Sequence, residues 1–372
     1  MNKRPIQVAM FGGGINSAVG RVHEIALKMD NVFELCAGCF SKHEDINKET
    51  GKSYYIHNDR VYSTPEELLG QEAENIEAIV IATPIDSHFS LVNMALDYGI
   101  KVICDKPIVS NTIEGDQLVR RIGRQSSKVF SIFNYTGYPA IREIRQRVKL
   151  GEIGSVFKIM AEMPQDTYLR LKNQGKVQNI QTWRLTDGVI PCVSLDLFIH
   201  LHSLVYFITG NMVESVFAIQ RSISDVSPGL VDEVDAMITY TNNLTVNCWY
   251  GKVALGYRNG LKIRIFGTKG SFEWVQEDPE IIYSVNALGD RSILDRISSS
   301  SLISSESRYS RFRAGHPSGF LEAFANYYVD IATAITTNAL NDYTLPVEVA
   351  LEGLRLSEAI ATSSREHSAA FL

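Results

Sequence analysis

Three consecutive glycines, Gly12-Gly13-Gly14, follow the short apolar run Ile6–Phe11 and lead directly into a helical pattern from about Ser17 to Met29. A β-branched run that stops on glycine and turns at once into a helix brings a strand end, a tight loop and a helix N-terminus to one point. The spacing Gly12-x-Gly14-x-x-Ser17 is the dinucleotide fingerprint with serine in the third position. The first glycine permits the tight turn and the second lets the backbone approach a pyrophosphate. The third position needs only a small residue for close helix–strand packing, so serine serves. The phosphates would then meet the positive end of the helix dipole. Gly12, Gly13, Gly14, Ile15 and Asn16 are therefore the expected cofactor cradle.

Downstream, strands and helices alternate. Val32–Phe40, Ile76–Ala82, Lys101–Cys104 and Val129–Tyr135 read as strands; Ser87–Tyr98 and Thr112–Arg124 read as helices. That alternation predicts a parallel, doubly wound sheet of the Rossmann type. From about Tyr138 the texture changes. One helix, Pro139–Leu150, leads into Ser155–Met163, and Met212–Arg221, Glu233–Tyr240, Leu244–Tyr250, Leu261–Phe266 and Ser271–Val275 follow as strands separated by turn signals. A mostly antiparallel, open sheet is expected there, with Gly319–Ile335 and Val347–Arg365 as closing helices. The fold class is thus α/β followed by α+β, with residues 1–137 as the nucleotide domain and 138–372 as the substrate-binding and oligomerisation domain. Ile297–Ser305 is a Ser-rich loop.

Composition narrows the partners. The chain of 372 residues carries 36 Lys+Arg against 42 Asp+Glu, a net charge of −6 that argues against nucleic acid. The longest apolar stretch, Gly188–Ile208, is broken by Asp196, His200 and His202 and falls short of a membrane span. The opening Met1-Asn2-Lys3-Arg4-Pro5 lacks the apolar region of a signal peptide, so a cytoplasmic protein is expected. Five cysteines are too few and odd in number for a disulfide framework, and Cys36-Ala37-Gly38-Cys39 lies inside an apolar run as expected of buried strand thiols. The histidines show no metal-ligand spacing, and no G-x-S-x-G elbow is present.

The end of the second strand reads Phe40-Ser41-Lys42, with Glu44 and Asp45 further on. Ser41 and Lys42 can hold a 2′-phosphate, which tilts the chemistry towards NADP, but the sequence leaves NAD or NADP open. Lys106 precedes Pro107 at the C-terminal end of a parallel strand, where a lysine can donate to a substrate hydroxyl and stabilise alkoxide character as hydride leaves. Asp196 and His200 are four apart in a helical pattern and share a face. Histidine is the natural proton acceptor when an alcohol is oxidised near neutral pH.

Thr83-Pro84-Ile85-Asp86-Ser87-His88 and Cys104-Asp105-Lys106-Pro107 resemble two signatures of the glucose–fructose oxidoreductase/inositol dehydrogenase (Gfo/Idh/MocA) family, the T-P-x-x-x-H loop and the E-K-P motif. The resemblance extends over Asn134-Tyr135, Trp183-Arg184, Asp196-x-x-x-His200 and the closing helices. Gly267–Trp274 and His316–Phe324 are similar to a branch with levoglucosan- and inositol-type dehydrogenases. The resemblance implies Lys106, Asp196 and His200 as the catalytic set: Lys106 polarising, Asp196 orienting, His200 exchanging the proton. It also implies Thr83, Pro84, His88, Asp105 and Lys106 beside the cofactor. Trp183 and Arg184 are candidate sugar contacts, since an aromatic face stacks on pyranose C–H groups and a guanidinium binds hydroxyls, although Trp183 can equally be core; His316, before Pro317 at the start of the closing helix, is a candidate substrate contact. Asp105 stands where the family has glutamate, and Pro191–Phe198 is bulkier than the family's glycine-containing stretch.

The expected activity is hydride transfer between nicotinamide and a secondary alcohol of a sugar, cyclitol or sugar derivative, by a homodimer or homotetramer. Two alternatives stand beside it. One is a nucleotide-sugar 3-dehydrogenase, with Arg308, Arg311 and Arg313 on the diphosphate; the other is a cofactor-binding regulator without turnover.

Overall fold

The structure is a computed structural model and describes residues 4–123 and 125–372. Met1-Asn2-Lys3 of the leading segment and Arg124, the expected end of a helix, lie outside the described residues. The chain forms two compact units: one runs to Gly137 and takes up Gly319–Leu351, and the other holds Tyr138–Ser318 and Glu352–Leu372.

The first unit is built on β1 (Ile6–Gly12), α1 (Ala18–Met29), β2 (Phe33–Cys39), α2 (Glu44–Ser53), α3 (Pro65–Glu72), β3 (Ala78–Ala82), α4 (His88–Asp97), β4 (Lys101–Cys104), α5 (Thr112–Ile122) and β5 (Val129–Ser131). The strands form one sheet in the order β2-β1-β3-β4-β5, all parallel. Every residue of β3 is buried, as a strand covered on both faces requires. The order reverses direction between β1 and β3, and ligands of such sheets bind outside the carboxyl ends of the strands at that switch point. Helices α2 and α3 were not expected, since α2 is almost wholly polar. The start of α3 does carry a signal: the Thr64 hydroxyl accepts the Glu67 N–H at 3.2 Å, and Pro65 takes the first helical position. The strand expected over Val129–Tyr135 stops at Ser131, and Asn134–Gly137 forms a 3₁₀ turn. The helix Phe320–Thr337 packs in this unit, its Asn326 amide donating to the Gly137 carbonyl at 2.9 Å.

The second unit contains α6 (Pro139–Lys149), β6 (Val156–Pro164), α7 (Thr167–Asn173), α8 (Ile199–Thr209), β7 (Val213–Arg221), β8 (Glu233–Tyr240), β9 (Leu244–Gly251), β10 (Lys262–Gly267), β11 (Gly270–Val275), β12 (Ile282–Val285), β13 (Arg291–Leu294) and β14 (Ala370–Phe371). Nine strands pair in the order β13-β12-β11-β10-β6-β9-β8-β7-β14. All pairs are antiparallel except β6 with β9. Burial alternates along the strands. Val216, Ala218, Val246 and Cys248 face the core, whereas Phe217, Ile219 and Met237 on the other face are exposed.

The Ser-rich loop is held from inside this unit. The Glu143 carboxylate accepts the backbone N–H groups of Leu302, Ile303 and Ser304 at 2.7–3.1 Å and the Arg147 Nε at 2.7 Å. Burial works to raise the Glu143 pKa, but the amides of Ile303, Ser304 and Leu302 and the Arg147 guanidinium outweigh it and hold it below the ordinary value. The folded value lies below the unfolded one of about 4.3. The stabilisation is therefore complete above that pH and is lost as pH falls through the lower, folded value. Glu143→Gln should lower the free energy of urea unfolding by roughly 2–3 kcal/mol at pH 7. The gap from wild type should begin to narrow as pH falls below about 4.3. An undiminished gap at pH 3 would show that the carboxylate charge is not what stabilises the loop.

Candidate active site

The turn after β1 is shaped by backbone contacts that leave no room for side chains. Gly12 and Gly13 both have φ near +70°, and a Cβ on Gly12 would stand 2.6 Å from the Ala82 carbonyl oxygen. The Gly13 N–H donates to that carbonyl at 3.1 Å, which fixes the turn against the end of β3. The Tyr54 hydroxyl donates to the Gly13 carbonyl at 2.8 Å, and the Ile15 N–H donates to the Thr50 hydroxyl at 3.1 Å. Ser17 caps α1, accepting the Gly20 N–H at 3.1 Å. The close helix–turn approach lies one turn further on: a Cβ on Gly20 would come within 2.3 Å of the Gly13 Cα. Sequence reasoning gave this packing to Ser17 and missed Gly20. A glycine three residues into the helix was the available signal. A glycine-lined turn at a helix N-terminus fits a dinucleotide pyrophosphate.

Ser41 and Lys42 follow β2 beside this turn. The Asn47 amide oxygen accepts the Phe40 and Ser41 N–H groups, while Lys42 is exposed. Glu44 pairs with Lys48, whose hydrogen bond and charge pull its pKa below the ordinary carboxylate value.

Thr83 and Pro84 follow β3, and Asp105 and Lys106 follow β4, so both loops stand at the carboxyl edge of the sheet. His88 ties them together. Its ring nitrogens lie 2.9 Å from the carbonyl oxygens of Pro107 and Thr83, and the residue is buried. Its ring is thus engaged with backbone between the two loops. Asp105 faces buried His23, with Oδ1 3.6 Å from Nε2, and the other His23 nitrogen meets the Tyr328 hydroxyl at 2.7 Å. Burial would raise the Asp105 pKa, but His23, Lys106 and His88 together hold it below the usual range.

In the second unit, Asp196 lies in a π-helical turn, Ser194–Phe198, that runs into α8. Such turns recur at functional sites. The Ser194 and Tyr250 hydroxyls meet at 2.8 Å, pinning the turn to β9. Asp196 Oδ2 receives the Arg184 guanidinium and, at 2.7 Å, the Lys252 ammonium. Lys252 is buried, and Gln165 accepts from it at 3.2 Å. Burial opposes the charge on Arg184, but Asp196 more than offsets it and raises the Arg184 pKa. Trp183 is exposed rather than core, its ring centroid 4.5 Å from the Arg184 guanidinium. His200 is buried in the first turn of α8, one turn beyond Asp196. His316 is exposed; its hydrogen bonds are backbone ones, to Arg313 and from Arg296. Lys252, Gln165 and Tyr168, whose hydroxyl donates to the Arg184 carbonyl at 2.8 Å, escaped the sequence reading. Nothing in a lone lysine after a strand marks its partner.

Two half-sites are therefore on the molecule: a dinucleotide cradle in the first unit, and a carboxylate held by two cations beside a histidine in the second. They define an oxidoreductase built on a nucleotide-binding domain. The chain belongs to the Gfo/Idh/MocA family: residues 6–133 match the oxidoreductase family with NAD-binding Rossmann fold, and residues 141–273 match the GFO/IDH/MocA C-terminal domain. It is 26% identical over 381 residues to the oxidoreductase YfiI of Bacillus subtilis (strain 168), covering 98% of this chain and 96% of that one. It is 24% identical over 258 residues to the myo-inositol 2-dehydrogenase of Thermotoga maritima, covering 68% of this chain and 71% of the relative. An inositol dehydrogenase homolog from Azotobacter vinelandii, solved in complex with NAD+, superposes with a TM-score of 0.90 at 25% identity, over 99% of this chain and 98% of that one.

Because a Gly20 side chain would press on Gly13 backbone rather than on a flexible group, Gly20→Ala should weaken NAD binding by about tenfold or more. Fluorescence titration of the reduced cofactor measures it, and an unchanged Kd would remove the Gly13–Gly20 approach from cofactor binding.

Proposed function

We propose that the chain oxidises, or forms by reduction, a secondary alcohol of a sugar, cyclitol or sugar derivative, with NAD or NADP as hydride partner. One observation carries the reading: the Arg184–Asp196–Lys252 cluster beside His200, on a chain whose other unit holds the glycine cradle. The buried Cys192 thiol feels the charges of this cluster. Burial, with Asp196 next, pushes that thiol up to about 12, so it adds no charge of its own. A hydroxyl-rich substrate can hydrogen-bond to the carboxylate and the two cations of this cluster. The relative from Thermotoga maritima is named as a myo-inositol 2-dehydrogenase, which fits a polyol substrate.

When bound, the nicotinamide takes up or gives the hydride. In this mechanism Lys106 donates to the reacting oxygen and stabilises its developing negative charge. His200 takes the hydroxyl proton in oxidation and returns it in reduction. Asp196 accepts a substrate hydroxyl and fixes which carbon is presented. Trp183 offers an aromatic face to the sugar C–H groups, and the exposed Lys42 beside Ser41 favours NADP. Five unpaired cysteines suit a reducing cytoplasm.

The exposed face of the nine-stranded sheet supports a homodimer or homotetramer. Met160, Phe217, Ile219, Met237 and Trp249 line a shallow cavity of about 400 Å³ on that face. Covering this apolar face against a second copy would remove Phe217, Ile219 and Met237 from water. Light scattering of the Phe217→Glu/Met237→Lys double variant should report the monomer mass; an unchanged larger mass would place the interface elsewhere.

A turnover screen of sugars and inositols with NAD and with NADP, followed at the absorbance of the reduced cofactor, tests the activity. Lys106→Ala should reduce kcat by roughly 10²–10⁴-fold with a smaller change in KM. Near-normal turnover in that variant would take Lys106 out of the chemistry, and wild-type cofactor binding without turnover of any polyol would overturn the reading.

A further inference from the structure

We infer that Lys252 is a positioning residue of the dehydrogenase reaction, acting through Asp196; this rests on the reading above. Its backbone is fixed on both sides of the peptide: the Lys252 N–H donates to the Asp232 carbonyl at 2.8 Å, and its own carbonyl accepts the Tyr168 N–H at 2.9 Å. The side chain leaves this anchor through the interior, 3% exposed, and delivers Nζ to Asp196 Oδ2 at 2.7 Å and to Gln165 Oε1 at 3.2 Å. The Tyr168 ring lies alongside the ammonium, 5.6 Å from centroid to Nζ. The same ring's hydroxyl holds the Arg184 carbonyl, so both cations that reach Asp196 are indexed to Tyr168.

A lysine loses solvation and rotamer freedom when buried, so a surface pair would have been the cheaper way to neutralise Asp196. Here its effect is geometric. Arg184 comes from a short 3₁₀ turn on a half-buried loop, whereas Lys252 directly follows β9, the strand whose Tyr250 also pins the turn bearing Asp196. Two cations converging on a single carboxylate oxygen hold that oxygen in place. Lys252 is the one that refers Asp196 to the sheet. Asp196 in turn stands one helical turn before His200, so the carboxylate that presents the substrate and the imidazole that exchanges its proton share one frame.

Lys252→Met keeps the bulk of the stem and removes the charge; Lys252→Arg keeps the charge. With the polyol that the wild type turns over, Lys252→Met should lower kcat by roughly 10- to 100-fold through misplacement of Asp196. Its Kd for NAD(P)H should stay at the wild-type value, and its pH–rate profile should keep its shape, because the proton-exchanging group is untouched. Lys252→Arg should recover most of the kcat. Retention of kcat within about twofold in Lys252→Met, or a loss that Lys252→Arg fails to recover, would overturn the assignment while leaving the activity itself standing. A wild type that binds NAD(P)H and turns over no polyol would overturn the proposed function and the role of Lys252 with it.

Discussion

The backbone of α1 meets the backbone of the turn that precedes it, Gly20 against Gly13, and the first unit is arranged around that contact. With no side chain between them, the helix starts directly behind the strand end and aims its first N–H groups at the point where the turn opens. The same Gly13 is tied by its N–H to the end of β3 and by its carbonyl to the Tyr54 hydroxyl. One turn therefore fixes three elements, and because β1 and β3 are neighbours at the reversal of strand order, the Thr83 loop emerges beside it. His88 then carries the constraint one strand further by bridging the Thr83 and Pro107 carbonyls, so that Lys106 is set by β3 as well as by β4.

A different problem governs the second unit. Asp196 is buried, and a buried carboxylate without partners is too costly to retain. The chain answers with Arg184 and Lys252 on one oxygen. Asp187 is held separately by the Cys192 and Val231 N–H groups at 2.8 Å. The two carboxylates thus act differently. Asp187 closes the loop before the π-helical turn, and Asp196 is left as the polar group beside His200. The Pro191–Phe198 stretch, bulkier than the resemblance led one to expect, is occupied in this packing. Phe198 lies 5.3 Å from Tyr250, ring to ring, and Ser194 meets the same tyrosine's hydroxyl.

How far these features could be read from sequence depended on how local their causes are. The glycine turn, the strand β3 with five apolar residues and the helix over Pro139–Lys149 are written in adjacent residues, and they form close to where periodicity places them. Asp196 and His200 announced themselves as polar interruptions of an apolar run. Helix α2 was missed because its hydrophobic content is too low to betray a buried face. Lys252 and His23 were missed because their meaning lies in partners 56 and 82 residues away, Asp196 and Asp105. The helix Phe320–Thr337 shows a clear apolar pattern, but an amphipathic pattern does not say which surface will cover it. The Gly137 carbonyl and Tyr328 against His23 settle that only in three dimensions.

The Ser-rich loop shows how an anion site made of backbone amides can be filled by the chain itself. Three successive N–H groups converging on one oxyanion, with an arginine alongside, are what a phosphate site requires. Leu302, Ile303 and Ser304 with Arg147 supply them, and the anion they hold is the chain's own Glu143, 1% exposed. An external phosphate at these three amides would have to displace a buried carboxylate that is already matched in charge and geometry. Arg308 meanwhile lies over the Tyr309 ring, 4.9 Å from its centroid. At the glycine turn, by contrast, the groups that enter among the described residues are hydroxyls of Thr50 and Tyr54 and the Ala82 carbonyl, none of them anionic. Of the two loops rich in small residues, one is satisfied from within and the other keeps a helix terminus that lacks a negative charge. Only the second has an electrostatic reason to receive a pyrophosphate.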